Sequence, residues 1–468
     1  MITKNAAEAF PEAQLPALDE HYGRIAAWNN IYKGDPSWNK VKRSGLYKRG
    51  DRKMNLLGTA KVLCDSFSDL CFTEQVDISC SDKSCQDYLL GVLQRESFWN
   101  TVPHFLSGAF AHGGCAVRAY VSDGRVKLSY INAADFLPAK WDNSGISDCI
   151  FRAFTVKEDN FYTLLERHVC DGENVNVESR LFRSSTKYAM GTRVPLSELY
   201  PDVPEQVKYP IGAPVFHYFR PDISNNLEEY SPLGISVFAN SLDTLKALDV
   251  AFDSFAREFI LGKKRIIVPS SCVQTVVDIE TGEQTRYFDS DDEAYVALRC
   301  DEERDLKITD NTVELRVDEH VKAINALLNI LCFQVGLSPG SFSFDANEGV
   351  KTATEIVSQD RKTARTIKCQ QNLLVEFIEG ICRTILSLGA QLGDISEKCE
   401  LTVAFKDGIV VDDNTLIENN INLVSAGLRS KLSAIMEISK CDEETAKKEL
   451  ERINKEAAGN GDLYYKSE

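Results

Sequence analysis

Four acidic residues, Asp289, Asp291, Asp292 and Glu293, stand close together in the third quarter of the chain. Carboxylates that converge in space can hold Mg²⁺, and bound Mg²⁺ can promote cleavage of a phosphodiester bond. A nuclease site also needs carboxylates from separate strands, whereas these four fall in one turn between two predicted strands. Two interpretations stay open: a metal-dependent nuclease or nucleotidyl enzyme, and a solvated acidic loop, which is the commoner origin of such a run.

Basic residues are concentrated at two places. The run from Lys40 to Lys53 holds seven lysines and arginines, interleaved with Trp38 and Tyr47. Such a run is either a phosphate-binding patch with stacking groups or, as we prefer, a solvated face or charged subunit contact. The second place is the triplet Lys263, Lys264 and Arg265. Because this triplet separates a predicted long helix from a predicted β segment, it either touches phosphate groups or pairs with nearby carboxylates.

The common signatures of nucleotide-binding and metalloprotease enzymes are missing. The sequence has no Walker A motif, no GxGxxG after a predicted strand and no HExxH. Its 14 cysteines are scattered singly without a CxxC pair, which argues against a zinc site. We therefore expect no enzymatic activity and no cofactor, and we interpret the cysteines as small buried hydrophobic residues.

The charge balance limits how the protein can meet nucleic acid. The chain of 468 residues has 53 Lys and Arg against 70 Asp and Glu, a formal net charge of -17. Tight binding of DNA by the whole surface is disfavoured, but passage of DNA without gripping it is not. The most apolar stretch, Ala323 to Leu337, is interrupted by polar residues and is too short to span a membrane. The length allows roughly three structural units.

Residues 1–230 have the pattern of a mixed α/β region. Apolar residues from Leu56 to Leu70 recur at spacings of three and four, which predicts a helix, and further helices are expected over about 82–112. From Cys115 the period changes to two, with a hairpin turn at Asp123 and Gly124 and more strands after it. The pattern indicates one domain that contains a sheet.

Two predicted helices then bracket a small β insert. The first has about 25 residues and ends near Gly262, with Asp243, Asp249 and Asp253 on its other side. The second is expected to be capped by Asp318 and to run to Gly336. The three aspartates either line a pore or form an ordinary solvated side of the helix.

A loop and a long helix follow. The loop Ser338 to Gly349 has two aromatic residues, Phe342 and Phe344, but no strand alternation. A capping box from Thr352 to Glu355 then predicts a helix whose first half is polar and whose second half is apolar. We expect this helix to pass from an exposed or subunit-facing position into a core, before a strand pair and a helical tail.

Three stretches in this order carry a resemblance to a known family: Ala134 to Gly145, Ser231 to Pro269, and Gly336 to Gln359. The C-terminal SAGLRS and DEETAKKELERINKE also fit. The chain resembles, over nearly its whole length, the portal proteins of tailed bacteriophages. Within them it is most similar to the Siphovirus-type group of phages of Gram-positive hosts, often called A118-like.

The resemblance implies an α+β portal-type fold. Its parts would be an α/β wing at 1–230, a first stem helix at 231–262, a small β clip insert at 263–317, a second stem helix at 318–337, a tunnel loop at 338–350, a long kinked helix with return strands at 351–412 and a helical C-terminal crown at 413–468.

The resemblance also implies the function and the partners. Such proteins form a ring, here expected to have twelve subunits, at one vertex of the capsid, through which double-stranded DNA is packaged and ejected without sequence specificity. The implied partners are the terminase large subunit, a head–tail adaptor protein, and the major capsid and scaffolding proteins, with no membrane. The protein would be assembled in the host bacterial cytoplasm and reside in the virion.

The DNA channel is expected at Ser341, Phe342, Ser343, Phe344, Asp345, Asn347 and Glu348 of the tunnel loop, and at Asp243, Asp249, Asp253, Lys263, Lys264 and Arg265 of the stem and clip. The two aromatic residues are expected to anchor the loop on a neighbouring subunit, because duplex DNA offers no unpaired bases on which they could stack. Besides the nuclease, a capsid or adaptor protein that never contacts DNA remains an alternative.

Overall fold

The computed structural model describes most of the chain in two compact units. The described residues are 2–41, 52–72, 76–187, 189–262, 266–267, 274–277, 284–287, 309–310, 314–344, 353–395, 399–405, 413–439 and 443–461. One unit comprises Met1–Thr73 and Ser79–Val403, and the other comprises Glu74–Ile78 and Ala404–Glu468. The first unit contains every element discussed below as part of a candidate site.

The helices follow the apolar spacing of three and four. In the described residues they are α1 Ile2–Ala9, α2 Asp19–Tyr32, α3 Thr59–Phe72, α4 Lys83–Arg95, α5 Phe98–His112, α6 Leu242–Leu261, α7 Val317–Val335, α8 Ala353–Leu392, α9 Asp413–Ser425, α10 Lys431–Ser439 and α11 Glu443–Gly461. In α3, for example, Leu63 and Phe67 are fully buried on one face, as their spacing predicts.

The strands are mostly antiparallel neighbours in sequence. They are β1 Lys40–Val41, β2 Arg52–Lys53, β3 Val76–Cys80, β4 Cys115–Ser122, β5 Arg125–Asn132, β6 Phe136–Asp142, β7 Gly145–Lys157, β8 Asn160–Cys170, β9 Val175–Ser184, β10 Thr192–Val194, β11 Gln206–Tyr209, β12 Phe216–Phe219, β13 Ile266–Ile267, β14 Gln274–Val277, β15 Gln284–Tyr287, β16 Thr309–Asp310 and β17 Leu401–Phe405.

Two sheets dominate the first unit. The larger one has the order β10-β9-β8-β7-β6, with β11 also paired to β9, and the smaller one has the order β12-β4-β5. The hairpin of β4 and β5 pairs Ser122 with Arg125 across Asp123 and Gly124, so the predicted turn is confirmed. Gly124 has φ of 68°, the left-handed conformation that a two-residue hairpin turn requires. The combination of antiparallel sheets and helices is an α+β fold, as expected.

An aromatic core joins the smaller sheet to the helices. Phe110 of α5 lies 5.4 Å from Phe67 of α3 and 5.9 Å from Phe219 of β12, measured between ring centroids. Phe219 also lies 5.8 Å from Phe377 in the second half of α8. Residues Arg361 and Lys362 in the first half of α8 are exposed. The predicted passage of this helix from an exposed position into a core is confirmed.

Helix α6 is shorter than predicted. It has 20 residues, not about 25, because Ala239–Ser241 directly before it form a 3₁₀ turn. Upstream of this turn, two backbones are in close contact: a Cβ added to Gly234 would lie 2.4 Å from the Gly113 carbonyl oxygen, and one added to Gly113, with φ of 84°, would lie 2.3 Å from that of Gly234. Two glycines therefore let these backbones touch.

The start of α7 also differs from the prediction. Arg316, without a side-chain capping bond, precedes the helix, and Asp318 lies in its first turn. A carboxylate there still stabilises the helix through its dipole. The predicted capping box begins at Thr352, which lies outside the described residues, as does the second strand of the predicted pair, at 408–412. The predicted stop of the second helix at Gly336 is confirmed.

Candidate functional site at the helix pair and the following loop

A charged cluster joins the C-terminal end of helix α6 to the N-terminal end of helix α7. The Arg316 guanidinium donates to both carboxylate oxygens of Glu258, from Nε and Nη2, each at 3.0 Å. His320 Nε2 lies 3.8 Å from the same carboxylate, and its ring lies 5.7 Å from that of Phe255. The bonds from Arg316 lower the pKa of Glu258 to about 2. The Glu258 side chain therefore stays ionised at neutral pH.

Asp253 of α6 is a buried acceptor. Its residue is only 5% exposed, and its two carboxylate oxygens accept hydrogen bonds from Nη1 and Nη2 of Arg52 at 2.6 and 2.7 Å. The backbone N–H of Asn55 donates to the same carboxylate at 3.0 Å. The hydrogen bonds from Arg52 outweigh desolvation and lower the pKa of Asp253.

Asp249, one helical turn earlier, is held by the same N-terminal segment. The indole N–H of Trp38 donates to it at 2.9 Å, and the backbone N–H of Leu57 donates at 3.0 Å. The residue is 8% exposed, and burial raises its pKa although both hydrogen bonds oppose the rise. Trp38 and residues 52–57 are thus attached to α6 through two aspartates.

The three aspartates that the sequence placed on one helix side do not form one exposed acidic face. Asp243 is exposed in the first turn of α6, whereas Asp249 and Asp253 are enclosed within a single chain. Assembly with further subunits covers more surface, so it does not expose the carboxylates of Asp249 and Asp253 to solvent. The open alternative of a solvated helix side is wrong for these two residues, and only Asp243 remains a candidate for a channel surface.

Several apolar side chains of the two helices remain uncovered. Phe259 and Ile260 near the end of α6 are exposed, and so is Ile330 of α7. Phe333 of α7 is 73% exposed, and the ammonium of Lys362 lies 4.7 Å from the centre of its ring. Phe259 and Ile260 lie beside the start of α7 and Ile330 and Phe333 near its end, so both ends of the helix pair carry apolar side chains available for contact with another molecule.

The loop after α7 is tied to that helix. Gly340 N–H donates to the side-chain oxygen of Asn329 at 2.8 Å, and Phe344 N–H donates to that of Asn325 at 3.0 Å. Asn325 and Asn329 lie four residues apart and therefore share one helix side. These are two of the polar residues that interrupted the apolar stretch, and their amides hold the loop.

The same loop is tied to α8. Ser338 N–H donates to Oγ1 of Thr363 at 2.9 Å, and the hydroxyl of Thr363 donates to Oγ of Ser338 at 3.0 Å. Thr366 donates to the Gly336 carbonyl at 2.7 Å. The described loop residues Ser341 to Phe344 thus start from a base that two helices fix.

The aromatic residues of the loop differ in exposure. Phe344 is 57% exposed, whereas Phe342 is half-buried. The Phe342 backbone N–H bonds to the thiol of Cys332 on α7. Phe344 therefore has the freer side chain of the two for contact with another molecule.

The loop also contains a GxSxG pentapeptide, Gly336 to Gly340. A hydrolase nucleophile with this pattern sits on a turn from a strand to a helix, with its hydroxyl free to react. Here the pentapeptide ends a helix, and the hydroxyl of Ser338 is 2% exposed and bonded to Thr363. The pattern has no hydrolase geometry.

Other residues singled out in the sequence lie outside the described residues. They are Lys263, Lys264, Arg265, Asp345, Asn347, Glu348 and the acidic cluster Asp289, Asp291, Asp292 and Glu293. Of the basic run, Lys40, Arg52 and Lys53 are described. Arg52 is committed to Asp253, so it is neither a solvated charge nor a phosphate ligand.

Sequence reasoning missed the attachment of Trp38 and residues 52–57 to α6. Its partners are about 200 residues apart, and no local pattern connects them. The one available signal was two aspartates four residues apart on a largely apolar helix, which require partners if that side is buried.

Comparison with known proteins gives the family. The family model described as "Phage portal protein, SPP1 Gp6-like" matches residues 15–462. The chain belongs to this phage portal protein family. No curated protein matches it. A chain in a solved structure, "Virion of native gene transfer agent (GTA) particle", is similar with a TM-score of 0.40 and 11% identity, over 93% of this chain and 99% of that one.

Family membership establishes the class of the protein. Phage portal proteins are structural components of the virion and not enzymes, and they assemble into a ring in the capsid. The A118-like subgroup remains a prediction. In the described part of the chain no group of three or more His, Cys, Asp or Glu is arranged to hold a metal ion, and no helix there is long and apolar enough to cross a bilayer.

Proposed function

We propose that the protein forms a ring, of twelve subunits, through which double-stranded DNA enters the capsid during packaging and leaves it at ejection. The observation that carries this proposal is the match of the portal family model to residues 15–462. The ring needs subunit contacts, a channel surface and docking sites for its partners.

The uncovered apolar side chains support the subunit contacts. Phe259, Ile260 and Phe333 would lose their exposure to water when the helix pair of one subunit packs on the next. In a closed ring each subunit uses two different surfaces, so α6 and α7 need not be self-complementary.

The loop after α7 supports the channel surface. The backbone bonds to Asn325, Asn329 and Thr363 fix its base while Phe344 projects from it. We propose that residues 338–350 form the tunnel loop, with Phe342 and Phe344 anchoring it on a neighbouring subunit. Asp243, Lys263, Lys264 and Arg265 are proposed for the stem and clip part of the channel.

The partners follow from the portal role. The segment between α6 and α7 is proposed to dock the terminase large subunit during packaging and then the head–tail adaptor. The N-terminal α/β region is proposed to contact the major capsid and scaffolding proteins. The DNA is expected to pass without sequence specificity, since phosphates are alike along the duplex.

Electron microscopy and native mass spectrometry of the purified full-length chain test the proposal. The expected result is a ring of about twelve times the 52.3-kDa chain, with a central opening wide enough for a duplex. A non-annular particle, or a ring with a filled centre, would contradict the channel. Mg²⁺-dependent cleavage of DNA by the pure protein would instead favour the nuclease alternative.

A further inference from the structure

Three cysteine thiols meet beside the start of α4. Cys80 ends β3, Cys85 lies in the first turn of α4, and Cys399 precedes β17. The Cys399 sulfur accepts a hydrogen bond from the Ser81 hydroxyl at 4.0 Å and donates one to the Glu400 carbonyl at 3.5 Å. The thiols of Cys80 and Cys85 lie close enough to it to lower its pKa. The backbone N–H of Asp82 donates to the same sulfur.

The backbone keeps the two chain segments in place. Ser81 N–H donates to the Glu400 carbonyl at 2.9 Å, and Glu400 N–H donates to the Ser81 hydroxyl oxygen at 3.0 Å. The residues that flank these bonds, Cys80 and Cys399, are therefore held near each other in the folded protein.

The three thiols differ in chemistry. Burial opposes ionisation of Cys399, but the surrounding donors outweigh it and lower its pKa. Burial and the bond to Cys399 raise the pKa of Cys80 to about 12, and burial and the bond to Asp82 raise that of Cys85 to about 11. Because the thiolate is the reactive form of cysteine, oxidation starts at Cys399.

Exposure selects the second partner. Cys80 and Cys399 are half-buried, whereas Cys85 is fully buried and its thiol also bonds to Asp82. We propose that Cys399 and Cys80 are a peroxide-sensitive thiol pair that closes to a disulfide. The arrangement favours a thiol pair over a metal site, because these thiols bond to one another and are not placed around an ion.

The reaction balances with one molecule of hydrogen peroxide. The Cys399 thiolate attacks one peroxide oxygen, the O–O bond breaks, and the released hydroxide takes up a proton to give water and a sulfenic acid. Cys80 loses its proton and its sulfur attacks the Cys399 sulfur, whereupon the S–O bond breaks and a second water leaves. Two thiols have lost two electrons and the peroxide has gained them.

The environment of the protein changes from reducing to oxidising during the life of the virion. A virion component is made in a reducing cytosol and later leaves the cell, where thiols are no longer kept reduced. The pair would stay open during assembly and close in the released virion. The bridge would join Cys80, the last residue of β3, to Cys399, two positions before β17, and thereby constrain the unfolded chain.

Thiol reactivity in the full-length protein tests the proposal. The reduced protein is treated with iodoacetamide at pH 7, and alkylation of each cysteine peptide is followed by mass spectrometry. Cys399 is expected to react several-fold faster than Cys170, a half-buried cysteine elsewhere in the first unit. After one equivalent of hydrogen peroxide, peptide mapping without reductant is expected to find a Cys80–Cys399 disulfide.

Three variants sharpen the result. Cys399→Ser should abolish the bridge, Cys80→Ser should leave a sulfenic acid on Cys399 that dimedone traps, and Cys170→Ser should change neither. Equal alkylation of Cys399 and Cys170, a Cys399–Cys85 bridge, or one zinc ion retained at the cluster in a native mass spectrum would overturn the proposal. If a serine variant fails to fold, the maps of the unmodified sequence decide alone. These readouts do not require a ring, so they can fail independently of the channel.

Discussion

Asp253 shows how one covering segment changes the meaning of a residue. On the isolated helix it would be an ordinary solvated carboxylate, but Arg52 and Asn55 enclose it and satisfy its oxygens. A buried carboxylate whose partner is removed keeps its desolvation cost without compensation. The pair is therefore more important for stability than an exposed ion pair of the same geometry.

Replacing Arg52 with Gln tests this argument. The substitution should lower the free energy of unfolding by about 1–3 kcal/mol at pH 7, because it leaves the Asp253 carboxylate without its cation. Urea unfolding at fixed protein concentration gives the measurement. Arg193→Gln is the matched control, since the Arg193–Glu205 pair is about half exposed and should contribute only about 0–1 kcal/mol. Equal losses in the two variants would contradict the argument.

The same pair has a defined pH dependence. Arg52 lowers the pKa of Asp253 in the folded state, so the folded chain binds that proton less readily than the unfolded chain. Its stabilisation is present above the unfolded carboxyl pKa of about 4 and is lost as the pH falls through the lower folded value. The difference between the parent and Arg52→Gln should therefore shrink in urea unfolding at pH 3. A difference that is constant with pH would show that the pair does not act through charge.

Elements defined by local pattern could be predicted from the sequence. The hairpin at Asp123 and Gly124, the apolar face of α3 and the end of α7 at Gly336 each depend on residues within one turn or one strand. The α+β class follows from such elements. The contact between Gly113 and Gly234 could not be predicted, because the two glycines are 121 positions apart.

For the candidate sites, too, features set by local pattern could be predicted, whereas features set by distant contacts could not. The described residues of the loop after α7, 338–344, form neither helix nor strand, as the absence of either period in them predicts. The attachment of the loop through Asn325 and Thr363 could not be predicted, because the sequence does not show which donor an amide in an apolar stretch will accept from. The thiol cluster was hidden for the same reason: Cys80 and Cys399 are distant in sequence, so single spacings gave no sign of it.

Replacing both Phe342 and Phe344 with Ala tests the loop as an element. Rings should form normally, since the loop base is held by backbone bonds that the substitutions leave in place. DNA packaging should fall, because the loop loses the side chains proposed to anchor it on the neighbouring subunit. Ring formation is checked by electron microscopy and packaging by protection of DNA from nuclease.

Phe154→Ala is the control for that experiment. Phe154 is exposed to a similar degree on β7, far in sequence from the loop, and stacks on Phe161. It should leave both ring formation and packaging unchanged. Normal packaging by the double loop variant would exclude a functional role for the two aromatic residues.

The negative net charge of the molecule agrees with the proposed channel, in which DNA would move without being bound tightly. Each chain has a formal net charge of -17, and repetition around a ring multiplies it. Each contact between a fixed cation and a phosphate adds to the affinity for DNA, and this contribution falls as the salt concentration rises. A basic lining would therefore bind a moving duplex and slow it. Asp243 is an exposed carboxylate in the first turn of α6 and is not enclosed as Asp249 and Asp253 are.

Asp243→Lys tests whether that carboxylate faces DNA. Each subunit then presents a cation in place of an anion, so the assembled ring should retain duplex DNA more strongly, with a steeper fall of affinity as salt rises. Filter binding over a salt series measures both quantities. A lysine in the first turn of a helix costs about 0.3–1 kcal/mol through the dipole, which rings should tolerate. Glu173→Lys makes the same charge change in the exposed turn between β8 and β9. If it strengthens DNA retention as much as Asp243→Lys, the effect belongs to net charge; if only Asp243→Lys does so, position 243 lies on the path of the DNA.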